Sequence, residues 1–246
     1  MPSARELFST SAKDDNGKKQ YRLLVRLRVA TMEVPVGTAS GSEEIWSYIE
    51  EEPVLGARSV GLGPNGFRVG VARRDSWQDL TRILKRMTGR DVRNDYATAV
   101  PGDPIRFILK RNQPVQTIFV YYEDRTFSGA DYPPGDNVLS LSCTLDEDDP
   151  TKILITAVPQ ICSTDRPVEF LNEGGRMMIV SKPQMFPLSA LTFQLLVPAH
   201  DILVIGPGVA ARRQASAGHH FLVKEKEGME FETVLVLIPE VVAVAQ

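Results

Sequence analysis

The chain has 246 residues, 43% of them hydrophobic and 24% charged, with a formal net charge of −3. That length and balance suit one large domain or two small ones with a real buried core, and they exclude global disorder. The slight acidity argues against nucleic acid as a main partner, and the longest apolar runs fall short of the ~18–20 residues a membrane-spanning helix needs.

Residues 1–20, MPSARELFSTSAKDDNGKKQ, lack the apolar core of a secretory signal and read as a polar flexible tail. A native cytoplasmic start fits this tail, and so does an export signal replaced by Met, which would put the protein in a bacterial envelope or periplasm. From Tyr21 to Val29 the chain alternates, with Tyr21, Leu23, Val25, Leu27 and Val29 on one face. Arg22, Arg26 and Arg28 fall on a basic, wet face. Pro35 to Gly41 reads as a loop. Ser40-Gly41-Ser42-Glu43 fits a capping box for a short helix through Ile45, Trp46 and Ile49 that stops at Pro53. Asn65-Gly66 signals a tight turn before a strand with Phe67, Val69 and Val71. Asp75 or Ser76 is placed to cap the clearest helix, in which Trp77, Leu80, Ile83, Leu84 and Met87 share a face and Gly89 ends the run.

The grammar then changes. Segments 105–109, 115–122, 138–145, 152–158, 177–181, 191–197, 202–205 and 231–238 read as strands. They are separated by turn signals such as Pro133-Pro134-Gly135-Asp136 and Asn172-Glu173-Gly174-Gly175, with no convincing amphipathic helix between them. The expectation is an α+β chain. A small strand-helix-strand-helix module over 21–97 precedes a β-rich, sandwich- or barrel-like module over 98–246. Leu139 to Leu145 and Lys152 to Val158 flank the acidic turn 146–150 and pair as a hairpin, with Cys143 opposite a residue near Leu154. Cys162 is then too far away for a disulfide, and both thiols are expected free.

Chemistry is hard to assemble from these residues. His219 and His220, read on a strand, point to opposite faces and cannot share an ion, and His200 sits in a turn beside Asp201. Gly206-Pro207-Gly208 lacks the spacing and the N–H donors of a phosphate loop. Asp146 to Asp149 departs from a calcium loop and reads as an exposed turn; Glu50 to Glu52 reads as a helix end in water. Phe119 and Tyr121 share a strand face read as core, with Tyr132 the aromatic to test for exposure. No catalytic, cofactor-binding or metal residue is assigned, and no cofactor is expected.

Two closing runs, Leu191 to Gly208 and Phe231 to Val242, each hold a Pro that a central strand would not tolerate. Val197-Pro198-Ala199-His200-Asp201-Ile202-Leu203-Val204-Ile205-Gly206 resembles the V-P-x-G-x-x-L-V-I-G-G turn of the bacterial secretin domain. Val234 to Val242, with Pro239, resembles that domain's final strand, and Asp75 to Val92 is similar to the small ring-building domains that precede secretin barrels. The chain departs from the pattern at Gly206-Pro207-Gly208 and lacks the usual insertion between the two runs. The resemblance therefore implies an envelope setting and self-association through β-strands, rather than secretion itself.

The reading is a non-catalytic assembly protein that self-associates or docks on protein partners, with the side of Phe231 to Val242 as a pairing edge and Val236→Lys as the change that breaks it. One alternative is a hydrolase or transferase with a site between the modules, using Asp201, His219 or His220. Another is a ligand-binding module built on the aromatics from Tyr121 to Tyr132.

Overall fold

The computed structural model describes residues 21–51, 59–89, 92, 94–100, 103–122, 124–173 and 176–245. The tail 1–20, the stop at Pro53 and the Gly174-Gly175 turn lie outside them.

The alternating strand runs further than its pattern marks, as β1 (Tyr21–Pro35). Val25, Leu27 and Val29 are buried in one apolar cluster and Ala30, Met32 and Val34 in a second. A strand buried on both faces belongs inside a covered sheet. The sheet around it is six-stranded and antiparallel. Its order is β2 (Phe67–Ala72), β13 (Ile202–Pro207), β15 (Met229–Ala245), β1, β3 (Asp95–Ala99), with β14 (Val223–Lys226) added alongside β15. β1 pairs with β15 along its whole length, from Tyr21↔Ala245 to Pro35↔Phe231. Strands from the 21–97 and 98–246 stretches are thus hydrogen-bonded into one sheet.

A second antiparallel sheet has the order β11 (Met185–Pro187), β8 (Lys152–Ser163), β7 (Gly135–Leu145), β4 (Ile105–Gln113), and β12 (Phe193–Pro198) also pairs with β8. The inner faces of the two sheets share one core. Leu27, Phe67, Leu203, Ile205 and Leu237 meet Leu139, Leu141, Ile153, Ile155, Phe193 and Leu195. The fold is α+β and rich in β, with a sandwich at its centre. The outer face of the six-stranded sheet is covered by α1 (Glu43–Trp46) and α3 (Trp77–Thr88), whose Ile45, Trp46, Leu80, Ile83 and Leu84 pack on Met32, Val204 and Val236. The wet basic face of β1 is therefore confined to its first half.

Helix α3 follows its apolar spacing and ends at Gly89, where φ is +64° and the N–H donates to Lys85 O at 2.8 Å. Its start differs from the expectation. A 3-10 turn, Arg74–Ser76, runs into it, and Ser76 sits at the N-cap in helical backbone without a side-chain cap bond. In α1 the cap is Ser42, which accepts from Glu44 N at 3.2 Å. Helix α4 (Ala217–Leu222) interrupts the half of the chain read as helix-free. α2 (Ser59–Leu62) is a single turn. Glu50 is not a helix end in water, because its backbone bridges Val71.

The closing run overturns its expected place. β15 is central, flanked by β1 on one side and by β13 and β14 on the other, and Val236 is only 2% exposed. From Met229 to Leu237 it is paired on both sides for most of its length, and only beyond Leu237 does the side away from β1 carry no further ladder. Pro239 is tolerated because β13 pairs β15 only as far as Leu203↔Leu237. One step beyond, the Pro239 carbonyl accepts from His200 N at 2.7 Å, so the missing N–H lies on a side where no ladder continues.

Two buried polar side chains fasten loops to this frame. Glu232, fully buried, accepts from the backbone N–H groups of Gly37 (2.8 Å), Ala39 (2.8 Å) and Ser40 (2.9 Å). Asn65 donates to Gly61 O and Tyr121 O, both at 2.7 Å, and accepts from Tyr121 N at 2.8 Å. Beside it Gly66 has φ +86°, and a Cβ there would meet Ala211 N at 2.7 Å, which is why this turn requires glycine.

Candidate functional site

The two secretin-like segments come together in the six-stranded sheet. Val197 to Gly206 covers the end of β12, its turn and β13; Val234 to Val242 lies in β15, with Leu203↔Leu237 and Val204↔Val236 in register. Residues 202–206 and 234–239 are buried, whereas His200 in the turn is exposed and residues 240–242 are half-buried.

Among the described residues, β9 (Val168–Glu173) and β10 (Arg176–Ser181) pair only with each other, in register from Arg176↔Glu173 to Ser181↔Val168. A two-stranded ribbon exposes backbone N–H and C=O groups along both outer edges and is marginal in water on its own. Val168 is 54% exposed and Met177 75%. Met177–Ser181 was legible as a strand from its apolar run; Val168–Glu173 was not, because VEFLNE neither alternates nor forms a run.

The histidines do not lie on a strand. His219 and His220 are in α4, where Ser216 caps the helix by accepting from His219 N at 3.2 Å. His219 Nδ1 is 3.0 Å from Ala211 O, and its Nε2 is 4.0 Å from Glu230 Oε1, beyond hydrogen-bond reach. His220 Nδ1 is 3.1 Å from Gln116 Oε1, and Gln116 and Asn137 exchange two side-chain bonds at 2.9 and 2.8 Å. Burial, then the charges of Lys110 and His219, hold the His220 imidazole down to about 4. It is a neutral member of a buried polar network.

Lys110, on β4, donates from Nζ to His219 O at 3.0 Å, and burial followed by the charge of Lys224 lowers its ammonium to about 8. Lys110, His219, Lys224 and Glu230 line a cleft of about 570 Å³ between β4 and the β14–β15 hairpin. On its rim burial pushes the Glu33 carboxyl up, but hydrogen bonds from Lys226 and Lys224 outweigh it and hold the group low. Lys110 was missed in the sequence, since its environment comes from residues more than a hundred positions away.

The other candidates fall apart from this cleft. His200, with φ +73°, and Asp201, which accepts from Arg74 N at 3.0 Å, stand at the α3 end of the molecule. The structure does not bring Asp201 together with His219 or His220. Asp146 and Asp149 accept from the N–H groups of Asp148 and Thr151, and Asp149 pairs with Lys152 at 3.2 Å, so these carboxylates close their own turn. Among the described residues no group of three His, Cys, Asp or Glu is placed to hold a metal ion. Cys143 stands opposite Ile155, next to Leu154 as expected; both cysteines are free, and burial pushes the Cys143 thiol up to about 12.

The aromatic expectation is corrected as well. β5 (Gln116–Tyr121) buries Gln116, Ile118 and Val120, so Phe119 and Tyr121 face outward. Phe119 stacks on Phe127 of β6 (Phe127–Tyr132) at 5.1 Å, over Gly129, whereas Tyr132 is half-buried edge-on against Phe186.

No known family model matches the chain, and no curated protein matches it. Among solved structures it is similar to the V. cholerae type IV competence pilus secretin PilQ, determined by single-particle cryo-electron microscopy. The identity is 10% and the TM-score 0.21, over 89% of this chain and 57% of that one. The chain thus spans just over half the length of that neighbour. Among the described residues no helix is long and apolar enough to cross a membrane.

Proposed function

We propose that this chain is a non-catalytic assembly protein that associates with further copies of itself by β-strand pairing, through the β9–β10 hairpin. The observation that carries the reading is that, among the described residues, this ribbon is hydrogen-bonded to no other strand, whereas the other two-stranded ribbon, β5–β6, is bridged to the segment before α4 through Phe119 and Ser216. Another copy adding a strand to either edge would match the open backbone groups, and would cover side chains such as Met177. The secretin-like wording of Val197 to Gly206 and Val234 to Val242 supports a second copy as the partner and a bacterial envelope as the setting.

The hairpin can be removed cleanly, because Val168 and Ser181 are paired neighbours at its base. Replacing residues 168–181 with a short Gly-Ser bridge is expected to convert an oligomer to a monomer in light scattering without lowering the thermal midpoint. A monomeric wild type, or an excised chain of unchanged oligomeric mass, contradicts the proposal.

A second reading, an enzyme, is favoured by Lys110, an amine poised near neutrality in a cleft beside His219. Reductive trapping with a small aldehyde at pH 8 tests it: selective labelling of Lys110 supports it, and labelling spread over the exposed lysines does not.

A further inference from the structure

At the opposite end of the central sheet from the loop that Glu232 fastens, three arginines converge on one cleft of about 680 Å³: Arg28 from β1, and Arg73 and Arg74 from the link between β2 and α3. The walls include Trp77, His200 and Ile238. Arg28 lies over Trp77, its guanidinium carbon 5.0 Å from the ring centroid. That stacking holds the group in place, yet its buried Nε–H meets no acceptor among the described residues. A buried donor of this kind normally finds a partner. Arg73 and Arg74 carry exposed side chains with no ion pair among the described residues.

Two carboxylates border the cleft, but they do not neutralise it. Glu240 is engaged by Arg26, with Nη2 to Oε2 at 2.7 Å, which leaves Asp75 against three guanidinium groups. Asp201 accepts from the Arg74 backbone N–H, so it fixes the link to the β12–β13 turn. Helix α3 also begins at this cleft, and Ser76 gives its first-turn N–H groups no side-chain acceptor. Those groups and the positive end of the helix dipole add to the arginine field. Planar guanidinium forks suit the paired oxygens of phosphate and carboxylate alike.

We infer that this cleft binds an oxyanion, the phosphate or carboxylate group of a small ligand, with Arg28 on Trp77 as its floor and Arg73 and Arg74 closing over it. The site stands independently of the hairpin and of the assembly reading.

Calorimetric titration of the full chain at low ionic strength tests it, with inorganic pyrophosphate and citrate as the probes and Trp77 fluorescence as a second readout. The probe that binds more tightly names the group. Arg73→Gln with Arg74→Gln removes two exposed charges and is expected to weaken binding at least about tenfold. Lys224→Gln with Lys226→Gln removes the same charge from the other cleft and is expected to leave the affinity within about twofold, the effect of screened charge alone. Arg28→Gln is expected to weaken binding and abolish the Trp77 response. Failure of both probes to saturate, or a loss in the arginine variant no larger than in the lysine variant, overturns the inference.

Discussion

Replacing Glu232 with Gln isolates the carboxylate that holds the loop after β1. The change conserves size and removes one charge at a fully buried position. One oxygen, Oε2, accepts from Ala39 N and Ser40 N, and the other, Oε1, accepts from Gly37 N. A Gln carbonyl can serve the first pair, but its amide then sets N–H against the Gly37 N–H. Losing one charge-assisted bond costs about 1.5–3 kcal/mol, and weakening the other two from charged to neutral costs about 1 kcal/mol each. The sum, roughly 3.5–5 kcal/mol, is on a mutational scale that already includes the relief of burying a neutral group, and it lowers the thermal midpoint by roughly 7–20 °C. Urea unfolding followed by Trp46 fluorescence is the assay, because Trp46 Nε1 donates to Ala39 O in the same loop at 3.0 Å. A loss under about 1 kcal/mol would refute the assignment of the carboxylate as the loop's anchor.

Val236→Lys places an ammonium between Ala30, Val204 and the α3 layer, so it is expected to destabilise the fold by on the order of 4 kcal/mol or more, read by denaturant melts. A folded, fully stable variant would deny that β15 is central. The His220 imidazole, held near 4 in the fold against 6.5 when free, resists a proton that the unfolded chain accepts. Stability is therefore expected to fall as pH drops from 6.5 towards 4, and His220→Gln removes that part of the slope. NMR titration of the His220 ring checks the same point: a midpoint near 6.5 would contradict its burial.

Much of the fold could be read in the sequence where one face of an element is wet. β1 alternates over Tyr21–Val29, α3 repeats every three or four residues and meets a glycine, and the β7–β8 hairpin brackets a turn of acids and proline. Elements covered on both sides were harder to place. Val234–Ile238 is a continuous apolar run, and such a run does not distinguish a free edge from a strand between two layers. Pro239 reinforces the look of an edge, since its tolerance depends on β13 pairing β15 only as far as Leu237, two residues earlier. AGHHFL is too short to display a helical period, so its pattern does not distinguish the α4 turn from a strand. Both clefts depend on long-range placement, as Lys110 meets His219 and Arg28 meets Trp77 only once β15 has joined the two ends of the chain. That the β9–β10 ribbon joins neither sheet depends on how every other strand pairs, which no local pattern supplies.

Hydrogen exchange of the backbone amides at several protein concentrations tests strand-mediated assembly most directly. Amides in β9 and β10 are expected to exchange fast in dilute protein and to become protected as concentration rises, while those of β15 paired with β1 stay protected throughout. Exchange of the hairpin that is the same at every concentration would contradict it.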